Sequence, residues 1–319
     1  MRSSFAAFGK IALLAACVAA LGLTGYAQVG LRTALDADGD QKADFMVFRP
    51  ATNTWHIRTS TGLIRSQQWG IANEDWMVPG DYDGDGKADI AVWREASGKW
   101  YVLKSSNNTF STQTWGVPGD EPISRDYDGD GKTDYAVVRR TGGNMIWYIV
   151  FSSTGNFLGR QFGVSTDFTA PGDYDGDGKF DVAVQRPGAT PTSLATFYIN
   201  TGTAFLSYTF GQSNDLVAPG DYDGDGKTDI AVVREGATPT SGLTWYIRKP
   251  AGGYTSVVWG VTGTDLLAQN DYTGDGVTDF GVWRNSNGTF YVLDKTNGAI
   301  STVNWGQPND FPVVSYDTH

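Results

Sequence analysis

The 319-residue chain contains one cysteine, Cys17, and two histidines, His56 and His319. A lone thiol closes no disulfide within the chain, so covalent stapling is excluded. Imidazole chemistry is equally thin: His319 is the final residue, and His56 stands in a slot that aromatic repeats elsewhere fill with Tyr. No Ser-His-Asp set can be assembled, and catalysis is not expected. Positive charge is also scarce. With 24 Lys and Arg against 35 Asp and Glu the net charge is −11, which argues against a nucleic-acid partner. The longest apolar run, residues 11–23, is too short to span a bilayer, and no helical period follows it.

That run has the anatomy of an export signal. Arg2 and Lys10 precede it, and Gly25-Tyr26-Ala27 offers a small-residue cleavage site before Gln28. We therefore read 1–27 as a signal peptide and expect a secreted, cell-surface or periplasmic protein. The alternative is a lipoprotein anchored at Cys17 through Leu14-Ala15-Ala16-Cys17, although the residues after Cys17 stay apolar through Leu23. Cleavage after Ala27 removes the only cysteine, leaving bound metal to take the stapling role. The remainder, 28–319, reads as one closed domain because a single period runs through it.

The period is carried by Asp81-Tyr82-Asp83-Gly84-Asp85-Gly86-Lys87-Ala88-Asp89. Alternate residues turn inward, so Asp81, Asp83 and Asp85, the carbonyl of Lys87, and Asp89 can surround one cation while Gly86 permits the sharp turn. All donors are hard oxygens on a flexible loop, which suits calcium with six to eight ligands better than octahedral magnesium. Copies begin at Asp36, Asp81, Asp126, Asp173, Asp221 and Asp271. Three further intact copies are Asp126, Asp128, Asp130, Lys132 and Asp134; Asp173, Asp175, Asp177, Lys179 and Asp181; and Asp221, Asp223, Asp225, Lys227 and Asp229. The first copy (Asp36, Asp38, Asp40, Asp44) has Gln41 in place of the turn glycine. The sixth (Asp271, Asp275, Asp279) has Thr273 in place of an acid. Up to six calcium ions are expected, four held strongly and two weakly. Six dications would bring the acidic mature chain close to neutrality.

Around each loop the grammar repeats. In the second copy Trp76-Met77-Val78 lead in, Ile90-Ala91-Val92-Trp93 leave, Trp100-Tyr101-Val102-Leu103 form a third run, and Phe110 begins a fourth that ends at Trp115-Gly116. Four short runs separated by Gly, Asn and Ser turns predict four antiparallel strands, and a spacing of roughly 40 to 50 residues is that of a propeller blade. Fixed aromatics, Trp55, Trp100, Trp147, Phe197, Trp245 and Phe290 in the third run, read as packing between blades.

The D-x-D-G-D-G-x-x-D loop followed by Ile-Ala-Val-Trp-Arg resembles the FG-GAP or VCBS repeat family, the β-propeller type at the head of integrin α chains and in many secreted bacterial proteins. The resemblance covers about residues 29–316. It implies that the loop joins the two inner strands of a blade and binds calcium on one face of the disc, at the Asp positions above. Family members more often have seven blades. The fold expected here is all-β, a propeller of six four-stranded blades, with seven as the alternative. Residues 29–35 are assigned to the inner strand of blade one, and the tail from Asp310 to Tyr316 is expected to seal the closure.

Every copy carries an arginine at loop position fourteen: Arg49, Arg94, Arg139, Arg186, Arg234 and Arg284. On a closed disc they form a ring that invites an anion, but hairpin arithmetic sets Arg94 across from Asp75, and likewise Arg139 from Asp120, Arg186 from Asp167, Arg234 from Asp215 and Arg284 from Asp265. Salt bridges are the plainer account. Blade one has Gly30 at that register, which leaves Arg49 for Asp310. Insertions at 187–193 and 236–242 are placed together on the face opposite the metal loops. The expected function is a secreted calcium-binding module for adhesion or binding, with an extracellular protein or glycan as partner and a monomer as the working form. An enzyme acting on extracellular polysaccharide (a lyase or hydrolase) and a passive scaffold are the alternatives.

Overall fold

The computed structural model describes residues 34–249 and 252–314. The signal segment 1–27, Cys17, the lead 29–33 and His319 lie outside the described residues.

Within each repeat, burial peaks at the second strand and falls outward from it, and the residue types follow it. In blade two Ile90–Arg94 is buried at every position but the arginine, as its continuous Ile-Ala-Val-Trp run requires. Lys99–Leu103 buries Trp100 and Val102 and leaves Tyr101 half covered. Phe110–Thr114 alternates between exposed and half-buried residues, as an edge strand does. A single turn of 3-10 helix, Glu95–Ser97, joins the first two of these, closed by Gly98 at φ 59. Asp75–Met77 supplies the inner strand.

Six such sheets, each of four strands, make a six-bladed β-propeller. Consecutive strands are neighbours in every blade except the first. There the inner place belongs to Phe311–Pro312, which pairs antiparallel with Phe45–Arg49 through Val47 opposite Pro312 and Phe48 opposite Phe311. This corrects the assignment of 29–35: Ala34 and Leu35 form a turn, and the Leu35 carbonyl accepts from the Asp44 N–H at 2.8 Å. The physical reason is the charge partner. The Arg49 guanidinium grips Asp310 through two hydrogen bonds of 2.9 Å, whereas Gly30 has no side chain to offer. The ring therefore closes on six blades.

Two contacts join neighbours. The third-run Trp and Phe rings are 0 to 1% exposed, and indoles at the blade ends reach across the seams. Trp69, Trp115, Trp259 and Trp305 donate Nε1–H to the carbonyls of Tyr101, Tyr148, Tyr291 and His56, the last bond crossing from blade six to blade one. Inside blade four, Gln185 is 0% exposed and neither its amide nitrogen nor its amide oxygen finds a partner. It occupies the register held by Trp93 in blade two and Trp283 in blade six.

Two outcomes are expected. Arg49→Ala leaves the Asp310 carboxylate buried without its cation and should lower stability by about 2–4 kcal/mol; a urea midpoint equal to that of the wild type would show that the closing pair contributes nothing. Gln185→Leu removes an unsatisfied buried amide and should raise stability by about 1–2 kcal/mol. A drop in melting temperature for that variant would mean the amide has a partner such as a buried water.

Candidate metal centres

Each metal loop is built from its own carboxylates before any ion arrives. In the second loop Gly84 and Gly86 both take φ 81, a left-handed turn open to glycine. That turn aims two amides at position one: Asp81 accepts from the Gly84 N–H at 2.6 Å and the Gly86 N–H at 2.8 Å. Asp89 braces the other end, accepting from the Tyr82 N–H at 3.0 Å and the Ser105 N–H at 2.7 Å. Asp85 takes the Lys87 N–H at 3.0 Å. One oxygen is left over: Oδ1 of Asp83 is buried without a partner, as are Oδ1 of Asp38 and Oδ1 of Asp175 at the same position. A buried carboxylate oxygen with no donor is what a cation site presents before it is filled.

Five carboxylate groups lie close enough to share an ion, their ligand atoms all within 4.8 Å of one another. These are Asp36, Asp38 and Asp40; Asp81, Asp83 and Asp85; Asp126, Asp128 and Asp134; Asp173, Asp175 and Asp181; and Asp221, Asp223 and Asp225. The first loop matches the intact ones despite Gln41. That residue adopts φ 68 and still donates its N–H to Asp36 at 2.8 Å, at a left-handed cost of roughly 1–2 kcal/mol. The sixth loop differs. Asp271 and Asp279 make the usual backbone bonds, but Thr273 contributes a hydroxyl where the others have a carboxylate, and Asp271, Asp275 and Asp279 form no such group among the described residues.

Lys87, Lys132, Lys179 and Lys227 donate their N–H groups to the position-five aspartates at 2.8 to 3.0 Å. Their side chains lie over the preceding loop. A Cβ on Gly84 would stand 2.5 Å from Cε of Lys132, so that glycine is required by a neighbour as well as by its own turn. The next residue along ties the loops together. The N–H groups of Ala88, Thr133, Phe180, Thr228 and Thr278 donate to the carbonyls of Asp36, Asp81, Asp126, Asp173 and Asp221 at 2.6 to 2.8 Å. Ala43 completes the circle by donating to Asp271 at 2.8 Å.

Sequence reasoning missed one set of participants. The hairpin between the third and fourth strands lies beside the loop, and its hydroxyls close on the outer carboxylates. Ser105 reaches Asp85 at 2.8 Å and Ser106 reaches Asp83 at 2.6 Å. Thr61 reaches Asp38 at 2.7 Å, Ser152 reaches Asp130 at 2.9 Å, and short bonds join Ser60 to Asp40, Ser153 to Asp128 and Thr296 to Asp275. The Ser or Thr pair just after the third strand of blades one to three (Ser60-Thr61, Ser105-Ser106 and Ser152-Ser153) was the available signal.

The six arginines of the ring are all paired. Arg94, Arg139, Arg186, Arg234 and Arg284 form two-pronged bonds of 2.6 to 2.9 Å with the aspartates that the hairpin arithmetic named. Five of the six guanidiniums also sit over a tyrosine, as Arg94 does over Tyr101 at 4.9 Å. His56 fills the corresponding slot in blade one, bonded through Nδ1 to Ser66 at 2.8 Å.

Three stretches, residues 36–92, 126–184 and 173–232, match the FG-GAP-like repeat, together just over half of the chain. The chain belongs to the FG-GAP-like repeat family. Its FG-GAP repeats enclose all five carboxylate groups, and the sixth loop falls outside the matched stretches. A search among curated proteins finds no match. Among solved structures, TolB from Acinetobacter baumannii is similar at a TM-score of 0.53 and 16% identity, over 84% of this chain and 63% of TolB. The chain thus spans less than two thirds of that relative. An Agrocybe aegerita lectin, solved for its recognition of non-reducing terminal N-acetylglucosamine, is similar at a TM-score of 0.53 and 15% identity, over 82% of this chain and 90% of the lectin. Such identities show the propeller fold alone.

Burial raises the loop carboxyls at position one of the first five loops and at position nine of all six, with neighbouring carboxylates adding to it and backbone N–H donors offsetting part. Position nine rises to about 6 at Asp89, about 7 at Asp44, Asp134, Asp229 and Asp279, and about 8 at Asp181. A carboxyl whose folded value exceeds its unfolded value of about 3.8 binds more protons when folded, so stability is lost as pH rises between the two. The chelator-treated protein should therefore melt at a lower temperature at pH 8 than at pH 5. A melting temperature that rises over that interval in the presence of chelator would contradict the loop electrostatics.

Proposed function

We propose that the protein is an exported calcium-binding propeller that acts as a binding module, its disc rigidified by ions and its loop faces presented to an extracellular protein or glycan. The observation that carries this reading is the buried, unpartnered position-three oxygen at Asp38, Asp83 and Asp175, set among carboxylates that already satisfy their backbone donors. The donor set contains only oxygens, and calcium supplies the charge that holds such a cluster ionised. Asp81, Asp83, Asp85, the Lys87 carbonyl and Asp89 would hold it in the second loop, with the equivalent residues in the first, third, fourth and fifth.

A binding role also fits what the fold leaves without chemistry. The arginine ring is committed to aspartates, and His56 is engaged with Ser66. Glycan is favoured as one ligand class by likeness of fold to the lectin, a protein that recognises non-reducing terminal N-acetylglucosamine. No helix among the described residues is long and apolar enough to cross a membrane.

Calcium titration by calorimetry should give saturable binding, with Asp83→Asn weakening one class of site. Each filled site should add about 2.7 kcal/mol to stability at a hundredfold excess over its Kd. Glycan and protein arrays run with calcium and with chelator should show calcium-dependent binding. Identical melting curves in the two conditions would sink the metal premise, and turnover on a polysaccharide panel would replace the binding module with an enzyme.

A further inference from the structure

The repeat is broken on both sides of one seam, and the two departures meet. In blade four the outer strand Phe205–Gln212 carries Tyr208 where the other blades have Gln67, Gln113, Arg160, Val257 and Val303. In blade five the strand Gly242–Arg248 ends in Arg248, at a register that carries Leu103 and Leu293 in blades two and six, Val150 and Asn200 in blades three and four, and an arginine, Arg58, in blade one, where the preceding outer strand offers Val303 in place of a tyrosine. The Arg248 guanidinium lies over the Tyr208 ring at 3.9 Å. Together they line a cavity of about 260 Å³ whose walls also include Lys227 and Asp225 of the fifth loop and the apolar side chains of Ile199 and Leu206.

The two cations in this cavity are uncommitted. Each arginine of the ring has an aspartate, but among the described residues the Arg248 guanidinium makes no hydrogen bond or ion pair, and neither does the Lys227 ammonium. Asp225 belongs to the fifth loop, where it accepts the Lys227 N–H at 2.9 Å.

We propose that the seam between blades four and five is a binding site for one acidic sugar residue, a hexuronate. The planar fork of Arg248, held flat on Tyr208, presents paired donors to a carboxylate, and Lys227 adds a second positive charge. Ile199 and Leu206 face the C–H side of the ring. The volume lies below the range that takes drug-sized ligands, which matches a single ring. An acidic peptide offers carboxylates too, but its acidic side chains bring no ring face for Ile199 and Leu206. The site rests on the binding-module reading and names its ligand class.

The test uses the calcium-loaded full chain and two probes that differ only in the carboxylate, methyl β-glucuronide and methyl β-glucoside. Calorimetry or ligand-observed NMR should show the glucuronide binding at least tenfold more tightly. Arg248→Leu, which installs the residue of blades two and six, should lose at least tenfold in glucuronide affinity at an unchanged melting temperature, and Arg248→Lys should retain part of it. Equal binding of the two probes, an unaffected Arg248→Leu variant, or displacement of the glucuronide by a Glu-rich peptide at lower concentration would each overturn the proposal. Calcium-dependent capture of other glycans or proteins without glucuronide binding would overturn this site and leave the module intact. No capture of any saccharide or protein would remove the reading beneath it.

Discussion

The structure depends on one peptide unit repeated around the disc. At the end of each metal loop the N–H of position eight donates to the position-one carbonyl of the loop before it, and Ala43 joins the first loop to Asp271 of the sixth. The same peptide unit carries the position-seven carbonyl that the calcium reading places against the ion. A cation drawing on that carbonyl would sharpen the adjoining N–H as a donor, so filling one loop strengthens its grip on the loop before it. The acidic loops are thus a continuous collar rather than independent turns, and the left-handed backbone of Gln41 keeps the first loop in shape by giving its N–H to Asp36 of the same loop.

Away from the collar the blades are held by two layers of polar contacts that serve the apolar packing. Aspartates at 0 to 2% side-chain exposure receive arginines from the neighbouring strand. Their second oxygens also take backbone amides, as Asp75 takes the Ile71 N–H at 2.8 Å. Farther out, the blade-end indoles hand an N–H across each seam that has one, with Phe162 and Phe210 standing in where blades three and four do without. Away from the loops the core therefore combines sheet faces packed on aromatic rings with six aspartates buried against their arginines.

Much of this was legible in the residues because a hairpin of fixed loop length fixes its register. Counting outward from Asp81–Asp89 placed Arg94 opposite Asp75, which is where the strands put it. The spacing of the Asp runs gave the blade number. What escaped notice depends on distances that no spacing encodes. Blade one takes its inner strand from the far end of the chain, and only two residue pairs define that strand, too short a stretch to outweigh an apolar lead beside the loop. The hairpin hydroxyls escaped because they lie 20 to 25 residues along the chain from the carboxylates they reach, on a separate turn. Tyr208 and Arg248 belong to different blades, and only the curvature of the ring brings them face to face.

Placing Phe311–Pro312 beside Phe45–Arg49 has a temporal consequence. The partners Arg49 and Asp310 stand 261 residues apart in the chain, so blades two to six can each fold from contiguous chain while blade one waits with an open strand edge. That edge is the kind of surface chaperones and proteases read. The propeller thus couples the sealing of its ring to the arrival of the strand that follows blade six, and a product cut short before that strand keeps its edge open.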